Sequence, residues 1–410
     1  MTTIRAIFLI ALSFHTMVNL TRPLIPLYAT ELGAGTMEVG FLTAAYAVLP
    51  LLLAISAGKL ADLVGDRVPI ILGAVGLAIG LGLPYLYPSI VSLYASQGFV
   101  GISHILITIS LQNVLGHAAT KETRDHVFGM FSMFVAIGAF LGPVLGGYLA
   151  EYMSYRFAFL VSTLLSVMPL ALAFLVPMNV RSKSPEVNAA AVEAKHTQGQ
   201  AHPEQPSSDA PVGKSPLQLL RLPELRKALA SSALVLYSRD IFVAYFPLFA
   251  VGLGISDSSI GWIIAVQGLA MMLVRLLLGR MTVAYGRERV LLASICVAGF
   301  AFLLVPIAGH VYALGLLSAL MGLGLGCGQP LSMTTTYNAS PKSRTGEVLG
   351  LRLACNRLSQ LVAPVFFGLV GNAVGLLSVF YVSGAFLLGG ALLTRSKPEE
   401  KSMNGSQYRI

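Results

Sequence analysis

The chain has 410 residues, of which 55% are hydrophobic and 11% charged, with a mean hydropathy of +0.76. Soluble domains carry about 25% charged residues, so the composition excludes a soluble enzyme and defines a polytopic membrane protein. The net charge of +9 lies on the turns between apolar runs, not in a basic patch with interleaved aromatics, which argues against nucleic acid as a partner.

A transmembrane helix needs about 20 apolar residues. Twelve stretches qualify, at 4–29, 37–57, 69–87, 90–114, 127–150, 155–177, 226–252, 258–279, 290–308, 311–336, 348–371 and 374–394. The first begins at Ile4 and is too long for a signal-peptide core, so it reads as a retained helix. Residues 181–215 differ in composition, being polar and rich in Ala, Pro, Ser and Gln, as in "AKHTQGQAHPEQPSSDAPVGK". That is linker composition. The expected fold is therefore an all-α membrane protein of twelve transmembrane helices. It comprises an N-terminal six-helix bundle (1–180), a cytoplasmic linker (181–225), a C-terminal bundle (226–394) and a cytoplasmic tail (395–410).

Lys and Arg favour the cytoplasmic side of short loops. With both termini and the linker inside, Lys59, Arg67, Lys121, Arg124, Arg280, Arg287, Arg289, Lys342 and Arg344 are all cytoplasmic, and only Arg156 is outside. The expected location is the bacterial cytoplasmic membrane, with the lipid bilayer as surroundings and the chain a monomer. Cys296, Cys327 and Cys355 lie in apolar runs without metal-ligand spacing and read as core. No metal or cofactor is expected.

The halves repeat at one constant offset, the one that carries Pro26 onto Pro247. "PLYATELG" from Pro26 matches "PLFAVGLG" from Pro247, Gly58 and Gly65 match Gly279 and Gly286, and Pro143 matches Pro364. A constant offset over so long a stretch marks a duplicated unit. In transporters such halves enclose a central site and rock about it.

Three motifs carry a family resemblance. "GKLADLVGDR" (Gly58–Arg67) lies in the turn after the second helix, where glycines allow a tight bend and Asp62 and Arg67 can tie helix ends together. It resembles the loop motif of the major facilitator superfamily, matched at Gly58, Leu60, Ala61, Asp62, Gly65 and Arg67. The second copy, "GRMTVAYGRER", has Val283 in place of Asp62. "GAFLGPVLGG" in the fifth helix resembles the superfamily's antiporter signature at Gly138, Gly142, Pro143, Gly146 and Gly147. "NLTRPLIP", with Asn19, Pro23 and Pro26, resembles the first helix of the drug:proton antiporters. The resemblance implies a conformational latch, twelve helices and proton-coupled efflux. The fourth helix departs from the pattern, with Tyr94 where those families often have arginine.

"GLGLGCGQP" (Gly322–Pro330) looks like a phosphate loop but lacks the Gly-Lys-Ser/Thr and lies in an apolar helix, so close packing is expected. No Walker sequence is present, and the chain reads as a transporter rather than an enzyme.

Polar residues inside the helices fall on single faces: His15, Asn19 and Arg22; Gln97, Gly101, His104, Thr108 and Gln112; Tyr237 with Asp240, and Arg239 beside them; Arg352, Asn356, Arg357, Ser359 and Gln360. A buried guanidinium costs roughly 2.5–3.5 kcal/mol on insertion scales, so such groups mark function. Arg275, judged close to its helix end, is expected to snorkel to the surface. Five arginines against one carboxylate, Asp240, suit an anionic or zwitterionic small molecule, since arginine grips carboxylates bidentately. The expected binding set is Asn19, Arg22, Gln97, His104, Arg239, Asn356, Arg357 and Gln360. Asp240, His15 and His104 are the expected proton carriers, with Asp240 beside Arg239. The activity expected is proton-antiport export, with opine-type metallophores one candidate cargo. The alternatives are broad multidrug efflux and proton-coupled uptake of an organic acid or sugar.

Overall fold

The structure, a computed structural model, describes residues 3–119, 124–177, 223–338 and 345–394. The linker and the tail lie outside them. Among the described residues the secondary structure is entirely helical. There are twelve spans: α1 (Thr3–Thr21 and Leu24–Glu31), α2 (Thr36–Val64), α3 (Arg67–Leu86), α4 (Ile90–Ala118), α5 (Arg124–Tyr152), α6 (Tyr155–Leu165 and Val167–Ala173), α7 (Pro223–Gly252), α8 (Asp257–Tyr285), α9 (Arg287–Leu304), α10 (Val311–Asn338), α11 (Thr345–Val374) and α12 (Leu376–Thr394). Eleven are long and apolar enough to cross a membrane, and α12 adds a shorter apolar helix.

Local chemistry explains the breaks. α1 is interrupted at Arg22 and Pro23, where proline supplies no N–H and its ring crowds the preceding turn. Ser89, Ser154 and Ser256 cap α4, α6 and α8 by accepting from backbone N–H groups three residues on. The repeat is visible in the backbone. Gly33 and Gly254 take φ of 91° and 73° at equivalent turns, and Gly65 and Gly286 take 80° and 82°. Only glycine enters that region without strain.

The halves meet along two seams, α2 against α11 and α5 against α8. Each seam is built from the same repeat positions. A Cβ on Gly40 would overlap the Pro364 carbonyl, and one on Gly261 would overlap that of Pro143. These pairs are equivalent at the repeat offset. Tyr245 Oη also donates to the Pro364 carbonyl at 2.7 Å. On the other seam Glu151 accepts from the Ser258 N–H at 2.8 Å, and Trp262 Nε1 donates to Tyr148 Oη at 3.3 Å. One apolar core joins both halves at this end, including Ile25, Tyr28 and Leu42 with Phe246, Phe249 and Phe367. A second core, around Ile7, Phe14 and Leu111, belongs to the N-terminal half alone. The molecule is thus closed at the end bearing the α1–α2 and α7–α8 turns.

The antiporter-like signature has a packing role here. Gly138, Gly142 and Gly146 admit the backbone of α1 at Leu12, Thr16 and Leu20, while Gly147 admits that of α8 at Asp257. One face of α5 thus grips its own half, and the adjoining residues grip the other. The glycines of α10 do the same work. Gly322 and Gly326 meet α8, Gly324 meets α9 and Gly328 meets Val235 of α7.

The motif from Gly58 does not lie wholly in the α2–α3 turn: Gly58 and Asp62 fall within the last turns of α2, which runs to Val64, and their side-chain placements lie outside the described residues. Gly65 makes the turn, and the Arg67 guanidinium sits 5.3 Å from the Phe174 ring centre. Asp66, which the motif reading passed over, accepts from Asn113 Nδ2 at 3.3 Å.

Candidate functional site

A central cavity of about 260 Å³ lies between the halves. α1 contributes His15, Asn19 and Arg22; α2 Tyr46; α4 His104; α5 Ser132 and Ala139; α7 Arg239; α8 Gly268, Met271, Met272 and Arg275. Three guanidiniums line this wall and no carboxylate does. Two small pockets extend it. One, bounded by Asn19, Arg22, Arg239 and Gln267, reaches toward the closed seam at Pro143. The other holds Arg22, Tyr46, Gln97 and Asp240. Asp240 is the only acid lining the three pockets.

Asp240 is buried at 3% exposure and is held from two sides. Arg22 Nη2 donates to its Oδ1 at 2.6 Å, an ion pair joining α1 to α7 and one half to the other. Gln360 Nε2 donates to Oδ2 at 2.8 Å, and Arg357 Nη1 donates to Gln360 Oε1 at 2.9 Å. The result is a continuous chain, Arg22–Asp240–Gln360–Arg357, across three helices. Satisfying both carboxylate oxygens offsets the desolvation that makes buried ions costly. The sequence placed Asp240 beside Arg239; the break in α1 instead aims Arg22 at it. Among the described residues no hydrogen bond or ion pair is seen on Arg239, which faces the cavity.

The expected binding residues separate into three groups. Asn19, Arg22, His104 and Arg239 line the central cavity, and Gln97 lines the pocket beside Asp240. Asn356, Arg357 and Gln360 do not line these pockets. Asn356 Oδ1 accepts from Ser232 Oγ at 2.9 Å, and the other two stand behind Asp240. The α11 arc therefore supports the acid instead of facing the cavity. His15 and His104 face one another with ring centres 5.9 Å apart, and Tyr46 lies 5.9 Å from His104. Arg22 also sits over Tyr46, at 5.4 Å. Of the α4 stripe, Gly101 is used to admit α2 at Tyr46, and Gln112 is exposed.

Arg275 corrects the snorkelling expectation. It lines the cavity, and its Nε donates to the Gly326 carbonyl at 3.2 Å. α8 continues past the apolar run to Tyr285, which puts Arg275 about 15 Å from its end at 1.5 Å per residue. Tyr46 and Gln267 were also missed. They are equivalent positions of the two halves, at the same offset as Pro26 and Pro247, and both line the pockets.

Two equivalent six-helix halves around a polar, cation-lined cavity are the architecture of a membrane transporter. The sequence model of the Major Facilitator Superfamily matches residues 7–252 and 228–408, and the chain belongs to that family. Among similar curated proteins is an uncharacterized MFS-type transporter of Methanocaldococcus jannaschii, 20% identical over 91% of this chain and 93% of its own. Another is the multi-drug resistance efflux pump PmrA homolog of Lactococcus lactis, 24% identical over 87% and 84%. PmrA of Streptococcus pneumoniae is 25% identical over 89% and 88%. Among solved structures, a POT family transporter in complex with a thioalcohol-conjugated peptide superposes with a TM-score of 0.75 at 15% identity. It covers 95% of this chain and 94% of that one, a likeness of fold.

Proposed function

We propose that the protein exports a small zwitterionic or anionic organic molecule in exchange for protons. The observation that carries this reading is the cavity wall, with Arg22, Arg239 and Arg275 on it and one acid, Asp240, at its edge. Arg239 and Arg275 offer a carboxylate two forked donors. Asp240 is the exchange point. A cargo ammonium and a proton compete for the same carboxylate, and mutual exclusion is what antiport requires. The direction of transport rests on the α5 signature and on relatives named as efflux pumps.

The deciding experiment uses inverted membrane vesicles with an acid interior. Cargo is first identified by comparing metabolites in media from deletion and parent strains. Accumulation of that compound in the vesicles, abolished by a protonophore, is expected. Accumulation that ignores the pH gradient, or runs outward, sinks the antiport reading.

The curated relatives support a second reading, broad multidrug efflux, since several are named for it. It calls for efflux of a lipophilic cation such as ethidium that persists when Arg239 and Arg275 are both neutralised. The charge of the wall argues against it.

A further inference from the structure

Gln267 lies in α8 at 2% exposure, and its Nε2 has no hydrogen-bond partner. A buried amide N–H left unmet costs about 1–3 kcal/mol, so a native core rarely keeps one without use. The side chain borders the small pocket at the inner end of the cavity, with Asn19, Arg22 and Arg239 on the same walls. Asn19 Nδ2 is already committed to the His15 carbonyl at 2.7 Å, and Arg22 to Asp240. The donors left facing the pocket include the Arg239 guanidinium and Gln267 Nε2.

The volume of this pocket, about 10 Å³, suits one atom of water size. It adjoins the main cavity, since Asn19, Arg22, Arg239 and Gly268 line both.

We propose that Gln267 and Arg239 form an oxyanion end-site, taking one oxygen of a terminal carboxylate of the cargo while its remainder lies in the main cavity. This deepens the anionic-or-zwitterionic reading above and rests on it. Gln267 is then a specificity-determining residue: its N–H meets an acceptor oxygen and leaves an amide N–H at that place without a match, while the Arg239 charge favours a carboxylate over an ester. Residue 46, its counterpart in the other half, is Tyr46, which carries the Arg22 guanidinium instead. The end-site therefore exists in one half only, and the cargo enters in one orientation.

The test measures the thermal midpoint of the purified full-length chain with succinate, dimethyl succinate or inorganic phosphate as probe. The wild type is expected to shift upward with succinate, and much less with the diester or phosphate. Gln267→Glu keeps size and gains a partner in Arg239, so it folds. It should reduce succinate affinity at least tenfold, because the new carboxylate repels the probe and occupies Arg239. Gln267→Met should reduce it several-fold. Equal succinate shifts in wild type and Gln267→Glu would show that the pocket holds only water and would overturn the end-site while leaving the cargo's charge intact. Phosphate as effective as succinate would overturn the carboxylate assignment. No shift of the wild type with succinate removes the anionic reading itself, and the end-site with it.

Discussion

Arg22 and Arg239 are the same side chain in two different states of employment. Arg22 completes an ion pair with an acid that is 3% exposed. Removing one partner of such a pair typically costs about 3–5 kcal/mol, because the other charge is left buried alone. Arg22→Leu should therefore lower the thermal midpoint of the purified protein markedly. Arg239 faces the cavity, so Arg239→Leu should leave the midpoint within a few degrees and weaken cargo binding tenfold or more. The opposite ranking would mean that Arg239 is structural. Asp240→Asn keeps one acceptor oxygen, for Arg22, and presents an N–H to Gln360, whose amide must turn to meet it; it has no proton to exchange. It should retain cargo binding, measured at equilibrium, and lose transport driven by a pH gradient; undiminished exchange would remove Asp240 from the coupling role. At this scale the sequence was partly legible. The polar groups stood out in apolar runs, so Arg22, Arg239, Asp240 and His104 were all marked, and all line the pockets between the halves. Their partners were not, because pairing depends on where α1 breaks and on which α11 face turns inward. Gln267 stood alone in "AVQGLA", with no second polar residue on its turn to mark a face. The signal that would have found it was its place one full repeat after Tyr46.

The helices show how small residues set the geometry between halves. Gly40 and Gly261 sit where a side chain would overlap a proline carbonyl of the opposite half. Gly40→Val should push α2 from α11 and destabilise the closed end. Spin labels on Met153 and Leu253, both exposed at that end, should report a longer mean distance or a second population. An unchanged distribution would show that the seam tolerates the extra bulk. Sequence reading recognised the α5 glycines by motif but assigned no seam, since contact between halves is a property of two distant segments. It also misjudged Arg275. Hydropathy falls at Gly279 and Arg280, yet the helix runs on until Gly286 turns it. Polarity marks where a helix leaves the lipid; hydrogen bonding and backbone conformation mark where it ends.

At the scale of the molecule, both bundles take their form from one repeated unit, and function arises where the copies differ. The bundle boundaries at 180 and 226 predict that the segment between them is a tether. Replacing residues 185–215 with a Gly/Ser chain of equal length should keep vesicle transport close to that of the parent; loss of transport with normal membrane insertion would give the segment a role of its own. The overall fold was legible because helix number, repeat offset and turn glycines are all local or periodic signals. The cavity was not, because its walls come from six helices of both halves.

Asn19 and Asp240 occupy equivalent positions of the repeat, so the two copies present one amide and one acid to the centre. Under the proposed exchange this asymmetry fixes the energetics of each cycle. A single exchanging carboxylate carries one proton inward for each neutral zwitterion sent out, so every cycle moves one net charge. The membrane voltage then adds to the acid gradient, at about 2.3 kcal/mol per 100 mV beside about 1.4 kcal/mol per pH unit. At about 100 mV and one pH unit the two together sustain a cargo gradient of about 500-fold. A twin acid in place of Asn19 would let a second proton ride each cycle and would square that ceiling.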